Sequence, residues 1–369
     1  MKKYLLCSML TAAFFVMPLS AAPTASAKKD FQTAIKHVDL GGEMLYYFNT
    51  GGIIKLINEK LPQLVQVLTK GEAEAQTINN ALKSALKVLN LNAVKAFAQS
   101  SKKLDNQCYI YKTFTLIDRN EKSLLINPAS RNMPSDWTSL PADTRFALKT
   151  DIDLGYVWRI IFKEIQNNPA PQIQSLSGMV ALLKSQGIDL AQMAFSVKGN
   201  IEILVTGGGD DIAFKVSVPD VNGSLSAMLK QQFVQETKGN TTVIASELGE
   251  ITILYAPGKI TAYSNKKLLS APNLTILENP NFKKSAALLP ANASAYVIVD
   301  IPQEFIAFLK EQVADEPPLA AVIDMMLTPM SVAGVSEVAP AGLKFTAVSN
   351  ISLVYLSQLF GQGLGLLIL

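Results

Sequence analysis

Apolar positions along this chain follow two spacings, and the switches between them mark its elements. Alternation, or short runs of aromatic and β-branched residues, predicts strands at 44–48, 107–117, 122–126, 146–151, 201–205, 212–218, 241–245, 250–255, 260–263, 295–300, 332–338 and 342–348. In 201–205, for example, Ile201, Ile203 and Val205 share one face of a strand and Glu202 lies on the other. Spacings of three and four predict helices over 53–61, 72–98, 155–165, 173–185, 222–235, 280–288, 302–313 and 319–327. Ile78, Leu82, Leu86 and Leu89 make one such stripe, Val157, Trp158, Ile161 and Ile165 another, and Phe305, Ile306 and Leu309 a third. Glycine and proline punctuate these runs at Gly41-Gly42, Gly51-Gly52, Gly207-Gly208-Gly209, Pro257-Gly258 and Pro317-Pro318. Residues 28–39 read as a polar lead-in.

The order strand, helix, helix, hairpin recurs. Leu140-Pro141-Ala142-Asp143 opens one round and Leu289-Pro290-Ala291-Asn292 the next, 290 − 141 = 149 positions later. A weaker first round runs from Met44 to Ile126. The pattern predicts an α+β fold of two or three repeated strand-helix-helix-hairpin units, with helices packed on mostly antiparallel sheets. The expected divisions are 1–27 as a leader, 28–139 and 140–288 as the first two units, and 289–369 as a third unit with an apolar C-terminal helix.

These residues carry a resemblance. The Leu-Pro-Ala-Asp strand openings, the step Gly187-Ile188-Asp189-Leu190 before a hairpin, and Asn279-Pro280-Asn281-Phe282-Lys283-Lys284 before the next Leu-Pro-Ala resemble a bacterial family of secreted proteins, a domain of unknown function with repeated α+β units. The resemblance spans about 140–348. It implies export and the repeat, and assigns no activity and no functional residue.

The N-terminus supports export directly. Lys2 and Lys3 precede an apolar stretch over 4–19, and Ala25-Ser26-Ala27 supplies the small residues of a cleavage site, so cleavage is expected after Ala27. The mature chain would keep 369 − 27 = 342 residues and lose two lysines, which takes the formal charge from +3 to +1. The expected location is periplasmic or extracellular. No basic cluster is present, which argues against a nucleic-acid partner. The chain is 49% hydrophobic with a mean hydropathy of +0.23, an excess that calls for burial in a core, a partner or a membrane.

Reactive side chains are scarce. His37 is the only histidine and reads as a solvated surface residue; no nucleophile elbow accompanies it. Cys108 is the one cysteine after cleavage and reads as a buried, inert thiol. Asp210 and Asp211 could offer oxygens to calcium, but two acids on a glycine turn read more simply as hairpin chemistry. Asp151 and Asp153 could pair as acid and base, or cap the helix that follows; Asp300 is a matching cap candidate. A carboxylate-based hydrolase acting on an envelope or extracellular polymer would draw on Asp151, Asp153, Glu164, Asp189 and Asp300. No catalytic, cofactor-binding or metal-binding residue is assigned, and no cofactor is expected.

The expectation is therefore an exported non-enzymatic protein that binds a lipid or other apolar ligand, an envelope component or a protein partner. The tail adds an alternative. No charge follows Lys344, and 351–369 could be a buried final helix, an interfacial or partner-binding helix (a peripheral membrane contact of an envelope scaffold), or a true membrane anchor.

Overall fold

The computed structural model describes residues 25–51, 93–105, 108–118, 120–121, 130–167, 171–246, 249–313 and 329–352, with scattered positions between 59 and 90. The expectations for the leader before residue 25, for helices over most of 53–92 and over 319–327, for a strand at 122–126 and for the tail from 353 lie outside the described residues.

In chain order, α1 (Ala25–Ile35) precedes β1 (Met44–Asn49), and β2 (Val94–Asp105) and β3 (Cys108–Ile117) form a hairpin. The short β4 (Met133–Pro134) leads to β5 (Thr144–Asp153), α2 (Leu154–Asn167), α3 (Pro171–Ser185) and α4 (Leu190–Ser196). A hairpin of β6 (Lys198–Thr206) and β7 (Ala213–Asp220) follows, then α5 (Ser224–Gln232). A meander comprises β8 (Thr237–Lys238), β9 (Thr241–Ser246), β10 (Gly249–Ala256) and β11 (Gly258–Tyr263). The chain continues through α6 (Pro280–Leu288), β12 (Asn292–Ala293), β13 (Ala295–Ile301), α7 (Gln303–Gln312) and the hairpin β14 (Met330–Ala339) and β15 (Gly342–Ser349).

Repeated strand-helix-helix-hairpin units, each with its own sheet, are not what the chain builds. Thirteen strands join in one sheet, in the order β1-β2-β3-β15-β14-β13-β5-β6-β7-β11-β10-β9-β8. The joins fall between stretches far apart in sequence. β15 pairs antiparallel with β3, from Gly342 opposite Leu116 to Ser349 opposite Tyr109. β13 pairs antiparallel with β5, from Ala295 opposite Thr150 to Val299 opposite Phe146. The physical reason lies in the strand edges. A block that closed on itself would leave N–H and C=O groups unpaired along an apolar border, at about 1–3 kcal/mol for each one buried. The meander β8–β11 also has no counterpart elsewhere among the described strands.

The helix expected over 72–98 ends early, because β2 begins at Val94. Its buried residues Ala96, Ala98 and Ser100 alternate with half-buried Lys95, Phe97 and Gln99; alanine-rich strands imitate helices when only composition is read. The short α4 was not expected either, since seven residues give periodicity too few turns to show.

One sheet face is closed. Tyr296, Ile298, Ala147, Leu204, Val335 and Val348 lie on it, all buried. Its cover is made of connecting segments. Trp137 packs edge-on against Phe282 of α6 at 5.4 Å and against Tyr296 at 4.9 Å between ring centroids. Burial pushes the Tyr296 hydroxyl well above its ordinary range, and Glu202 and Asp136 add to that. The two Leu-Pro-Ala segments belong to this cover. Leu140 and Leu289 are buried in the same cluster. The Leu140 carbonyl accepts from Ile276 N–H at 2.9 Å, and the Ala291 carbonyl from Ser135 N–H at 2.9 Å.

Residues 28–39 are not a polar lead-in. Most of them form α1, which lies across β1, β2 and β3 on the closed face. Ala34 and Val38 are buried there against Ala96, Ala98 and Phe114, and Phe31 meets Tyr47 edge-on at 4.9 Å. Just past the helix, Lys112 pairs with Asp39 at 2.8 Å. His37 is not a solvated surface residue: its ring stacks on Phe114 at 3.9 Å and 15°. Burial holds its pKa below the ordinary value, helped by the positive charges of Lys344 and Lys36. A lowered histidine pKa means that the unfolded chain takes the proton first as pH falls. The contribution of neutral His37 is thus complete above pH 6.5 and is lost on acidification through its folded value. His37→Phe keeps an aromatic ring without a titrating group. Denaturant unfolding between about pH 8 and pH 5 should show wild type losing stability relative to the variant below its ordinary value; a difference that ignores pH would overturn the assignment.

Candidate functional site

The other sheet face is apolar and, among the described residues, no segment closes it. Strand alternation places Phe146, Leu148, Ile201, Ile203, Val205, Phe214, Val216, Val297 and Val299 on it, and every one is half-buried. The register aligns them in rows. One row runs Val332, Val299, Phe146, Val205, Phe214; the next runs Gly334, Val297, Leu148, Ile203, Val216. Five strands at about 4.8 Å give such a row a length of roughly 20 Å. The surface continues toward β1, where Phe345, Phe97 and Phe48 share the same side. A Cβ on Gly334 would come within 2.6 Å of the Phe345 ring, so glycine there lets that ring lie flat on the sheet.

Helices gather on this side without sealing it. Leu225 and Leu229 of α5 pack on Ile253, Tyr255 and Ile260, and Ile260 stands opposite Val218 on the open face. α4 packs against α5, and α2 against α4. Within α2 only Gly155 is buried, where the Phe195 ring of α4 would lie 2.4 Å from an added Cβ. The α2 stripe predicted from sequence (Trp158, Ile161, Ile165, with Phe162 stacked on Trp158 at 5.3 Å) is only half-buried. On α3, Leu176, Met179 and Leu182 are exposed by 41%, 57% and 57%, an apolar row at three-residue spacing.

Carboxylates hold these helices in place. Asp220, 2% exposed, accepts from the Ser196 and Ser226 hydroxyls and from Leu225 N–H at 3.2 Å and Ser226 N–H at 2.9 Å. It ties the end of α4 to the start of α5. Burial alone would raise its pKa, but the four hydrogen bonds together outweigh burial and lower it. Asp153 accepts from Tyr156 N–H at 2.7 Å, the capping role anticipated for it. Asp189 caps α4 through Ala191 and Gln192 N–H, both at 3.1 Å.

Asp300 does not cap a helix, because Pro302 holds the N-terminal position of α7 without a side-chain bond. Instead it pairs with Arg145 at 2.8 Å, and Arg145 Nε donates to the Gly207 carbonyl at 2.9 Å. That anchors the turn between β6 and β7, where Gly207 has φ +81°. The pair lies at the edge of a concavity of about 500 Å³ at the strand ends. Asp143, Asp211, Glu304, Phe305 and Phe308 are among the described residues that line it, with Pro302 and the glycines of the turn.

The acids of the hydrolase expectation are not all brought together: Asp300 stands away from Asp151. Arg145, beside Asp300, and Asp151 are 151 − 145 = 6 residues apart on β5, about 20 Å, whereas a glycosidase acid pair needs roughly 5–10 Å. Burial and neighbouring Asp153 raise the Asp151 pKa. Glu164 is half-buried on α2. Among the described residues no three His, Cys, Asp or Glu side chains are grouped to hold a metal, Asp211 included; the Asp210 side chain lies outside them. Cys108 is half-buried against the core cluster, and burial pushes its thiol pKa up. No described helix is long and apolar enough to cross a membrane.

Sequence reasoning missed the open face, although alternation at 201–205 and 295–300 carried the signal. No family model matches the chain, and no curated protein matches it. Among solved structures it is similar to two crystal forms of TP0453. Form III shows 8% identity and a TM-score of 0.23, covering 62% of this chain and 99% of that one. Form IV shows 12% and 0.24, covering 62% and 97%. Likeness at that level says nothing about what this chain does.

Asp220→Ala should cost about 2–3 kcal/mol in denaturant unfolding at neutral pH, because charged hydrogen bonds at two helix ends vanish together. The loss should shrink on acidification through the lowered carboxylate pKa, since a depressed acid stabilises above its ordinary value near 3.8 and not below its folded value. A variant as stable as wild type at pH 7 would refute the anchoring role.

Proposed function

We propose that this chain is an exported, non-enzymatic protein that binds an apolar ligand on the open face of its sheet. The observation that carries the reading is the contrast between the faces: one is covered to closure, while its apolar opposite is left half-accessible in registered rows. Each methylene removed from water contributes about 0.8 kcal/mol. An acyl chain of eight carbons laid along a row would therefore gain roughly 6 kcal/mol before the entropy of binding is subtracted. Export rests on the basic, apolar and small-residue succession over 1–27. The pairing of Asp300 with Arg145 and the capping roles of Asp153 and Asp189 weigh against the hydrolase alternative.

A second reading, an envelope protein partner, draws on the row Leu176, Met179 and Leu182. Both readings can be separated by experiment. Mass spectrometry of an organic extract of the purified protein should find an acyl-chain compound. Leu148→Asp with Ile203→Asp should remove it from a protein that still unfolds cooperatively, while Leu176→Gln with Leu182→Gln should leave it. An empty protein that also fails to enhance the fluorescence of an anilinonaphthalene dye would sink the ligand reading.

A further inference from the structure

The thirteen-stranded sheet has two outer edges, and the chain builds them differently. At one end β8 is two residues long and carries the exposed Lys238, and a short, charged strand offers little to pair with. At the other end β1 is six residues long. Met44–Asn49 holds three aromatic residues, no charge and no proline, and its pairing with β2 runs without a bulge. An antiparallel strand with one neighbour turns every other residue's N–H and C=O outward, and β2 is the only neighbour of β1. Among the described residues no backbone group of these six bonds to anything else.

The side chains of β1 are as open as its backbone. Leu45, Tyr46 and Phe48 are exposed by 41%, 39% and 37%. Tyr46 and Phe48 stand on the open face with ring centroids 6.3 Å apart, and Phe48 lies at the same distance from Phe97 of β2. On the other face Phe31 of α1, which meets the Tyr47 ring, is exposed as well. Apolar side chains on both faces of an unpaired edge are what one further strand would cover.

We propose that β1 is a dimerisation edge, pairing antiparallel with β1 of a second copy of this chain about a twofold axis perpendicular to the sheet. Every pairing inside the sheet is antiparallel, so such a neighbour continues the pattern. A strand without charges meets its own copy without repulsion. In the two central registers Tyr46 faces either Tyr46 or Phe48 of the second copy, an aromatic pair in both. Because the β8 edge is blunt, association stops at two copies and does not run on as a fibre. Six residues make a small interface, so the dissociation constant is on the order of micromolar. The pairing does not depend on the apolar-ligand reading.

Sedimentation velocity of the purified protein, from well below to well above the micromolar range, tests it. A monomer should give way to a dimer and to nothing larger. Tyr46→Lys sets a charge near its own copy at an exposed position; it should weaken association about tenfold or more while leaving denaturant unfolding unchanged. Leu176→Gln with Leu182→Gln, on the exposed row of α3, should leave the dimer intact. Single cysteines introduced as Leu45→Cys, Tyr46→Cys, Tyr47→Cys and Phe48→Cys over Cys108→Ser locate the axis. Under mild oxidation the yield of cross-linked dimer should peak at one position and fall with distance from it, because antiparallel strands bring only residues beside the axis to their own copies. A monomer throughout the range would overturn the proposal. So would a dimer that Tyr46→Lys leaves intact, or one whose cross-linking is flat, since either places the contact on another surface. Species larger than a dimer would overturn it too, by showing a second adhesive edge.

Discussion

The backbone pairing of β3 with β15 and of β13 with β5 is the constraint on which this molecule depends. Neither pair is local: Thr115 meets Leu343, and Leu148 meets Val297. Without those seams the strands would end in bare edges, and bare apolar edges join other chains. With them, three stretches of sequence share one sheet and one hydrophobic cluster that holds Ile110, Ala147, Leu289 and Val348 together.

A sheet this wide has two faces, and the chain treats them differently. The closed face is covered by α1, by the segment around Trp137 and by α6. Several of its polar groups are matched, as in the Lys112–Asp39 pair and the hydrogen bond from Asp39 N–H to Ser100 Oγ at 2.9 Å, while Thr346 Oγ1 is buried without a partner. Matching is needed because an unpaired polar group under a cover costs more than the pair gains. The open face carries the larger aliphatic rows with less cover. Its helices are fixed at their ends by Asp153, Asp189 and Asp220 rather than by tight packing along their length. End fixation with loose flanks leaves apolar surface accessible.

Arg145 links this architecture to the concavity at the strand ends. It sits where β5 bulges between Thr144 and Phe146, which frees its side chain to reach both Asp300 and the glycine turn. One ion pair of modest exposure thereby joins β5, β13 and the β6–β7 turn. Its worth lies in position more than in stability, since a half-exposed pair contributes about 1 kcal/mol or less.

Local elements were legible from sequence because their signals are local. The spacing of Val157, Trp158 and Ile161 made α2, alternation made β6 and β13, and Asp153 ahead of α2 caps it as such residues do. Scarcity of histidine and cysteine was equally plain. Even α1 was written in the spacing of Phe31, Ala34 and Val38, though surrounding charges masked it. Which strand edges meet was not legible, because β3 and β15 are separated by more than two hundred residues and carry ordinary apolar and threonine sequences that fit many partners. For that reason the echo of Leu-Pro-Ala suggested separate units, and only the tertiary structure decided that both segments cover one sheet. Only it decided, too, which apolar residues are closed over and which stay open, since alternation assigns side chains to two faces but does not say what, if anything, lies against each.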